Sequence, residues 1–192
     1  INQKSIGADF PPFIIAEMSG NHNQSLERAL AIVDAAADSG AHAIKLQTYT
    51  AETMTMNIQG GSFEIKNKSS LWSGNNLYDL YKKAYTPWHW HKPIMDRAKE
   101  KGILAFSSPF DESAVDFLEE LNVPAYKIAS FENNHLPLIR KVALTKKPMI
   151  ISTGMATLSE LELAVATARE AGCQNIILLK CTSTYPSKPI NS

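Results

Sequence analysis

Acids, lysines and hydroxyls recur in this chain at the ends of short apolar runs, where polar side chains are hardest to explain as filling. Glu17 closes the first run and Asn21-His22-Asn23 follow it; Lys45 and Gln47 stand inside the second. Lys127, Ser130 and Glu132 lie in and after the fourth, Ser152 in the fifth, and Ser183 and Tyr185 trail the sixth. An ionised group within a strand is costly unless it meets a ligand or an opposite charge. Two lysines with several hydroxyls suit a phosphate and a carboxylate, and Glu17 or Glu132 suits sugar hydroxyls or a moving proton. That chemistry fits any enzyme acting on a phosphorylated or carboxylated small molecule. Plainer readings stand beside it: Lys45 or Lys127 paired with Glu17 or Glu132 in a structural salt bridge, Ser130 and Ser152 satisfying backbone groups, and His22 anchoring a loop rather than touching substrate. His89 and His91, two apart at a helix start, face different ways and read as packing rather than metal ligands. Met54, Met56, Met149 and Met155 read as packing residues too.

The elements that must position these groups alternate regularly. Apolar runs predict strands over 13–19, 43–48, 103–107, 125–130, 149–153 and 176–182. Between them, apolar residues at helical spacing predict helices: Leu26, Leu30, Val33 and Ala37 ended by Gly40, the stretch from Pro93 to Lys101, and Ala114, Phe117, Leu118 and Leu121. A further helix is expected from Leu136 to Thr145, with Pro137 in its first turn. Thr157 and Glu160 form a capping box for the last one, which Gly172 ends. Near-continuous apolar strands favour a parallel sheet covered on both faces. No Gly-rich phosphate loop follows the first strand, so the fold class expected is a (β/α)₈ TIM barrel with about the first six βα units present. In such barrels, functional groups project from the carboxyl ends of the strands.

Residues 49–87 break the rhythm as a long insertion after the second strand. Long connections in compact domains are often functional, and Leu77, Leu80, Tyr81 and Ala84 predict an ordered helix within this one. Thr86 then reads as a cap, with Pro87 at the first position of the next helix.

The chain has 192 residues, 44% of them hydrophobic, which is short against the roughly 250 of a whole barrel. Its 19 basic and 19 acidic residues balance, so no basic stripe suggests nucleic acid. No run is long enough to span a membrane, and the start shows no signal peptide. It begins at Ile1, so residues upstream are expected to be missing. Cys173 and Cys181 make neither a metal spacing nor a disulfide framework and read as reduced thiols, which points to a cytoplasmic enzyme.

Several motifs, in order, resemble the sialic acid synthase (N-acetylneuraminate synthase) family. They are Phe13-Ile14-Ile15-Ala16-Glu17 with Asn21-His22-Asn23, Ala43-Ile44-Lys45-Leu46-Gln47-Thr48, Phe106-Ser107-Ser108-Pro109-Phe110, Tyr126 to Glu132, Ile151 to Ala156, and Cys181-Thr182-Ser183-Thr184-Tyr185-Pro186. Within the family, Leu71-Trp72-Ser73-Gly74 and Tyr85 to His91 are similar to the pseudaminic acid synthase branch. The resemblance implies condensation of phosphoenolpyruvate with an N-acylated amino sugar, 2,4-diacetamido-2,4,6-trideoxy-L-altrose in that branch, giving a nonulosonic acid and phosphate. C3 of phosphoenolpyruvate attacks the open-chain aldehyde, water adds at C2, and phosphate leaves by C–O cleavage, while a divalent metal, typically Mn²⁺, polarises the aldehyde.

Carried over residue by residue, Lys45, Lys127, Ser130, Ser152 and Ser183 would hold phosphoenolpyruvate, with Gln47 beside them. Glu17, Asn75, Glu132 and Tyr185 would hold the sugar, and Glu17, Lys127 and Glu132 would be the catalytic set. The family often has Asn where Ser183 stands. It also implies a homodimer, metal-ligating histidines beyond the sixth strand and a C-terminal antifreeze-like domain. The chain is therefore expected to be the N-terminal part of the barrel domain, without metal ligands and not competent alone. Other readings are an N-acetylneuraminate or legionaminate synthase, a sugar-acid 8-phosphate synthase, and a non-catalytic sugar-binding barrel.

Overall fold

The computed structural model describes residues 1, 2, 4–68, 70 and 72–183. The strands are β1 (Ile15–Glu17), β2 (Ala43–Thr48), β3 (Leu104–Pro109), β4 (Tyr126–Ile128), β5 (Met149–Ser152) and β6 (Ile176–Leu179). They form one six-stranded sheet in chain order, and the strand pairs β1–β2, β3–β4, β4–β5 and β5–β6 are parallel. The helices are α1 (Leu26–Asp38), α2 (Ala51–Met54), α3 (Leu77–Ala84), α4 (Trp88–Glu100), α5 (Glu112–Glu120), α6 (Leu136–Leu144) and α7 (Leu158–Glu170). Parallel neighbours in chain order joined by helices are the βα units of a (β/α)₈ barrel, as the sequence predicts. The chain divides into two compact units, residues 14–105 and residues 1–13 with 106–192.

In the 14–105 unit, alternation along β2 buries Ile44, Leu46 and Thr48 completely and turns Ala43, Lys45 and Gln47 to the other face. Ile44 and Leu46 pack with Met18, Val33, Ile94 and Ala98 in one apolar cluster. Ser25 caps α1, its hydroxyl accepting the Arg28 N–H. The insertion is ordered: Ile65 N–H donates to Asn75 O and Gly74 N–H to Ile65 O, closing a small hairpin that leads into α3, whose N-cap is Asn76.

Thr86 does not cap α4. The N-cap is Pro87, with no side-chain cap bond, and Thr86 is buried against His22. The helix is also longer than expected, keeping Pro93 inside it.

In the other unit, α6 packs on both α5 and α7. Leu118, Tyr126, Ile128, Leu138, Ile139, Val142, Met149 and Ile151 are buried. The capping box at Thr157 and Glu160 is present. Two strands end early. β4 stops at Ile128, and Ser130–Glu132 form a 3-10 turn rather than more strand. β6 stops at Leu179, so Cys181 follows the strand instead of closing it.

Candidate functional site

Each unit gathers part of the expected polar set at the carboxyl ends of its strands. In the 14–105 unit, Glu17 and Lys45 are register partners on β1 and β2. The Lys45 ammonium lies 2.5 Å from the Glu17 carboxylate, with Lys45 nearly buried and Glu17 about half exposed. The salt bridge anticipated as the plainer alternative is therefore formed. Gln47 shares the face of Lys45, one pleat further along β2. Asn75 sits just before α3 in the insertion hairpin, its side-chain amide donating to Trp72 O.

The loop after β1 is fixed from several sides. His22 is fully buried, accepts the Gln24 N–H at Nδ1 and pairs through Nε2 with Thr86 Oγ1 at 3.0 Å. Its ring meets Trp90 edge-on, 5.6 Å between centroids. His91 is buried as well, its Nε2 2.8 Å from Thr48 Oγ1 at the end of β2. Burial pulls both rings below the usual imidazole range, His91 to about 4. His89 is exposed.

In the 106–183 part, Lys127 lies on β4 with only 7% of its surface exposed. Its ammonium donates to Ile128 O and to Ser152 Oγ at the end of β5. The 3-10 turn after β4 carries Ser130, whose hydroxyl lies 3.1 Å from Cys181 Sγ; that sulfur also accepts the Gly154 N–H. Burial raises the Cys181 thiol, but the Ser130 hydroxyl and the Gly154 N–H, with the nearby Ser152 and Ser183 hydroxyls, outweigh it and leave it below the usual value. Glu132 Oε2 is buried with no hydrogen-bond partner. Burial pushes the Glu132 carboxyl above the usual range, and its own backbone N–H and the Lys127 charge pull it back only in part. Asn133 donates from Nδ2 to Ser152 O and Thr153 O, tying the turn after β4 to the end of β5.

Gly154 closes this cluster. It holds φ +51, and a Cβ there would stand 2.6 Å from Ser130 Cβ. An ammonium, three hydroxyls, a backbone N–H and a protonatable carboxyl together can bind an anion and lend it a proton. Cys181, Asn133 and Gly154 were not read from the sequence as parts of this cluster; only the tight spacing of Ser152-Thr153-Gly154 after an apolar run hinted at the last. Tyr185 lies outside the described residues. Among the described residues no group of three His, Cys, Asp or Glu stands together as a metal would need, and no helix is long and apolar enough to cross a membrane.

Parallel βα units in chain order with polar groups at their strand ends define part of a (β/α)₈ barrel. The chain belongs to the NeuB family, whose model matches residues 32–191. It is 48% identical to the pseudaminic acid synthase of Helicobacter pylori over 178 residues, 93% of this chain and 52% of that protein. It is 46% identical to the pseudaminic acid synthase of Campylobacter jejuni serotype O:2 over 183 residues, 95% and 53% of the two chains. In structure it is similar to the N-acetylneuraminic acid (sialic acid) synthetase of Leptospira borgpetersenii in complex with citrate. The TM-score is 0.84 and the identity 33%, over all of this chain and 61% of that one. The chain thus spans about half the length of the curated relatives it matches.

Proposed function

We propose that the whole protein is a transferase that condenses phosphoenolpyruvate with 2,4-diacetamido-2,4,6-trideoxy-L-altrose, releasing pseudaminic acid and phosphate. The observation that carries the reading is the buried Lys127 ammonium among Ser130, Ser152 and the Gly154 turn, in a chain about half identical to pseudaminic acid synthases. A buried ammonium that donates to a hydroxyl and a carbonyl is stabilised further by a bound anion.

In this reading Lys127, Ser130, Ser152 and Ser183, with Lys45 and Gln47, hold the phosphate and carboxylate of phosphoenolpyruvate. Charge on the departing phosphate is then balanced throughout the reaction by ammonium groups rather than by water. Glu132, whose carboxyl burial pushes above the usual range, serves the sugar side as a proton donor and hydroxyl partner. Glu17, Asn75 and Tyr185 complete the sugar contacts. The pairing of Lys45 with Glu17 keeps each charge compensated until substrates bind. Mn²⁺ belongs to the reading through the resemblance alone. Its ligands would be histidines beyond the sixth strand. A cytoplasmic homodimer is part of the same reading.

The experiment is to incubate the whole protein with phosphoenolpyruvate and a panel of 2-acetamido and 2,4-diacetamido sugars, reading products by mass and released phosphate. Pseudaminic acid from the L-altro sugar is expected. Neuraminate from N-acetylmannosamine alone would move the protein to the branch of the Leptospira structure it is similar to. No phosphate release with any sugar would leave a binding barrel.

A further inference from the structure

The insertion that carries Asn75 is tied back to the loop after β1 by contacts that the proposed chemistry does not use. Gln24 donates from its side-chain amide to Lys83 O at 2.9 Å and to Tyr85 O at 2.7 Å. Those carbonyls belong to the last turn of α3 and the residue that caps it, where a helix leaves acceptors unpaired. Gly20 presses on the same place: a Cβ there would meet Ala84 O at 3.0 Å. His22, two residues before Gln24, reaches Thr86, 64 residues away in sequence.

The tautomer of His22 follows from its partners. Nδ1 accepts the Gln24 N–H, so the neutral ring carries its proton on Nε2 and donates it to Thr86 Oγ1. One buried imidazole thus sets both the turn that aims Gln24 and the segment that leaves α3.

The backbone of this loop is strained. Ser19, Asn23 and Gln24 hold φ of 49°, 46° and 56°. A non-glycine residue such as Gln24 gives up about 1–2 kcal/mol in that region, and such strain persists where surrounding contacts over-determine it. The loop therefore leaves Glu17 at one end and grips the C-terminus of α3 at the other. Asn75 stands just beyond the opposite end of the same helix, eight residues long or about 12 Å.

We propose that His22, with Gln24 and Thr86, is a positioning latch that makes the β1 loop and the insertion one rigid piece, fixing Asn75 against Glu17 for the amino sugar. The proposal rests on the sugar-side assignment of Glu17 and Asn75 made above. His22 itself touches no substrate; it acts through the two residues it spaces.

The test uses the whole protein with two breaking variants, His22→Leu and Thr86→Val, and two conservative ones, His22→Gln and Thr86→Ser. Thr86→Val removes the same hydrogen bond from the other side should His22→Leu fail to fold. Amide hydrogen exchange over residues 72–85 reads the latch without reference to activity, and steady-state kinetics in both substrates read its use. The breaking variants should speed exchange in α3 at least tenfold and raise the KM for the sugar about tenfold, with the phosphoenolpyruvate KM within twofold of wild type. Thr86→Ser and His22→Gln should restore both.

Unchanged exchange in α3 overturns the latch. Faster exchange with both KM values unmoved, or both raised alike, overturns the positioning role. If the wild-type protein condenses no sugar in the panel, the functional reading fails instead, and the exchange experiment still decides the latch.

Discussion

The two compact units hold their polar groups by opposite means. In residues 14–105, charge is met by charge across register partners, Lys45 against Glu17, and the surrounding loops are stapled by buried neutral rings, His22 on Thr86 and His91 on Thr48. In the unit holding residues 106–183, a buried ammonium donates to short uncharged groups, Ser152 Oγ and Ile128 O, and its charge acts on the Glu132 carboxyl nearby. The first arrangement is internally compensated. The second sets an ammonium among hydroxyls and a backbone N–H, an arrangement that suits an anion. Under the proposed function, the first region is a holder for the sugar and the second a cradle for phosphate.

The largest effect should come from the cradle. Lys127→Met in the whole protein is expected to raise the KM for phosphoenolpyruvate and lower kcat together, at a cost of roughly 2–5 kcal/mol in kcat/KM. Direct phosphoenolpyruvate binding by titration calorimetry, taken with steady-state rates, checks it. Wild-type affinity in Lys127→Met would erase the contrast between the two units.

Next in size is the response of the buried rings to acid. His91 is held at about 4 and His22 is also lowered, both chiefly by burial, so folding favours their neutral forms against an unfolded value near 6.5. Their contribution to stability is complete above about pH 6.5. It is lost as pH falls from there toward 4, because the unfolded chain takes up the protons first. For His91 the loss is on the order of 3 kcal/mol. Denaturant titrations from pH 7 to 4 should show this slope, flattened in His91→Gln. A slope unchanged by that substitution would mean that the rings are not what acid acts on.

Glu132→Gln should sharpen the distinction within the cradle itself. It keeps the shape and removes the proton, so the sugar KM should rise about tenfold while phosphoenolpyruvate affinity stays within twofold, as the loss of one hydrogen bond, roughly 0.5–1.5 kcal/mol, allows. Loss of phosphoenolpyruvate binding in this variant would reverse the roles given to the two residues.

The smallest effect lies away from both sites. Thr157→Ala removes one half of the capping box on α7 and should cost about 1 kcal/mol, read as a lowered Tm with kinetic constants unchanged.

Much of this architecture was legible from periodicity. β2 runs over the six residues its apolar pattern marks, α1 begins at Leu26, and the capping box at Thr157 is where its spacing puts it. Local pattern also found the polar groups at strand ends, since a lysine inside an apolar run stands out whatever surrounds it. What it missed depended on partners far along the chain. Thr86 before Pro87 has the form of a cap, but a buried imidazole 64 residues earlier claims its hydroxyl. Ala129-Ser130 continues an apolar run and so reads as strand, while the structure turns there into a 3-10 segment beside Cys181. Cys181 reads from the sequence only as a reduced thiol, because spacing reports neither the Gly154 N–H nor the Ser130 hydroxyl that converge on its sulfur. The family resemblance supplied roles for Asn75, Ser183 and Tyr185 that periodicity could not.

The crowding at Gly154 has a consequence for how this sequence can change. With φ at +51 and Ser130 Cβ 2.6 Å from where a side chain would begin, the position admits a hydrogen atom and little else. A library randomised at 154 should therefore come back nearly empty, with any survivor carrying a second change at 130, where Ser130→Gly opens the space. The two positions form one locus in variation although they stand 24 residues apart in the chain, and drift at either is gated by the other.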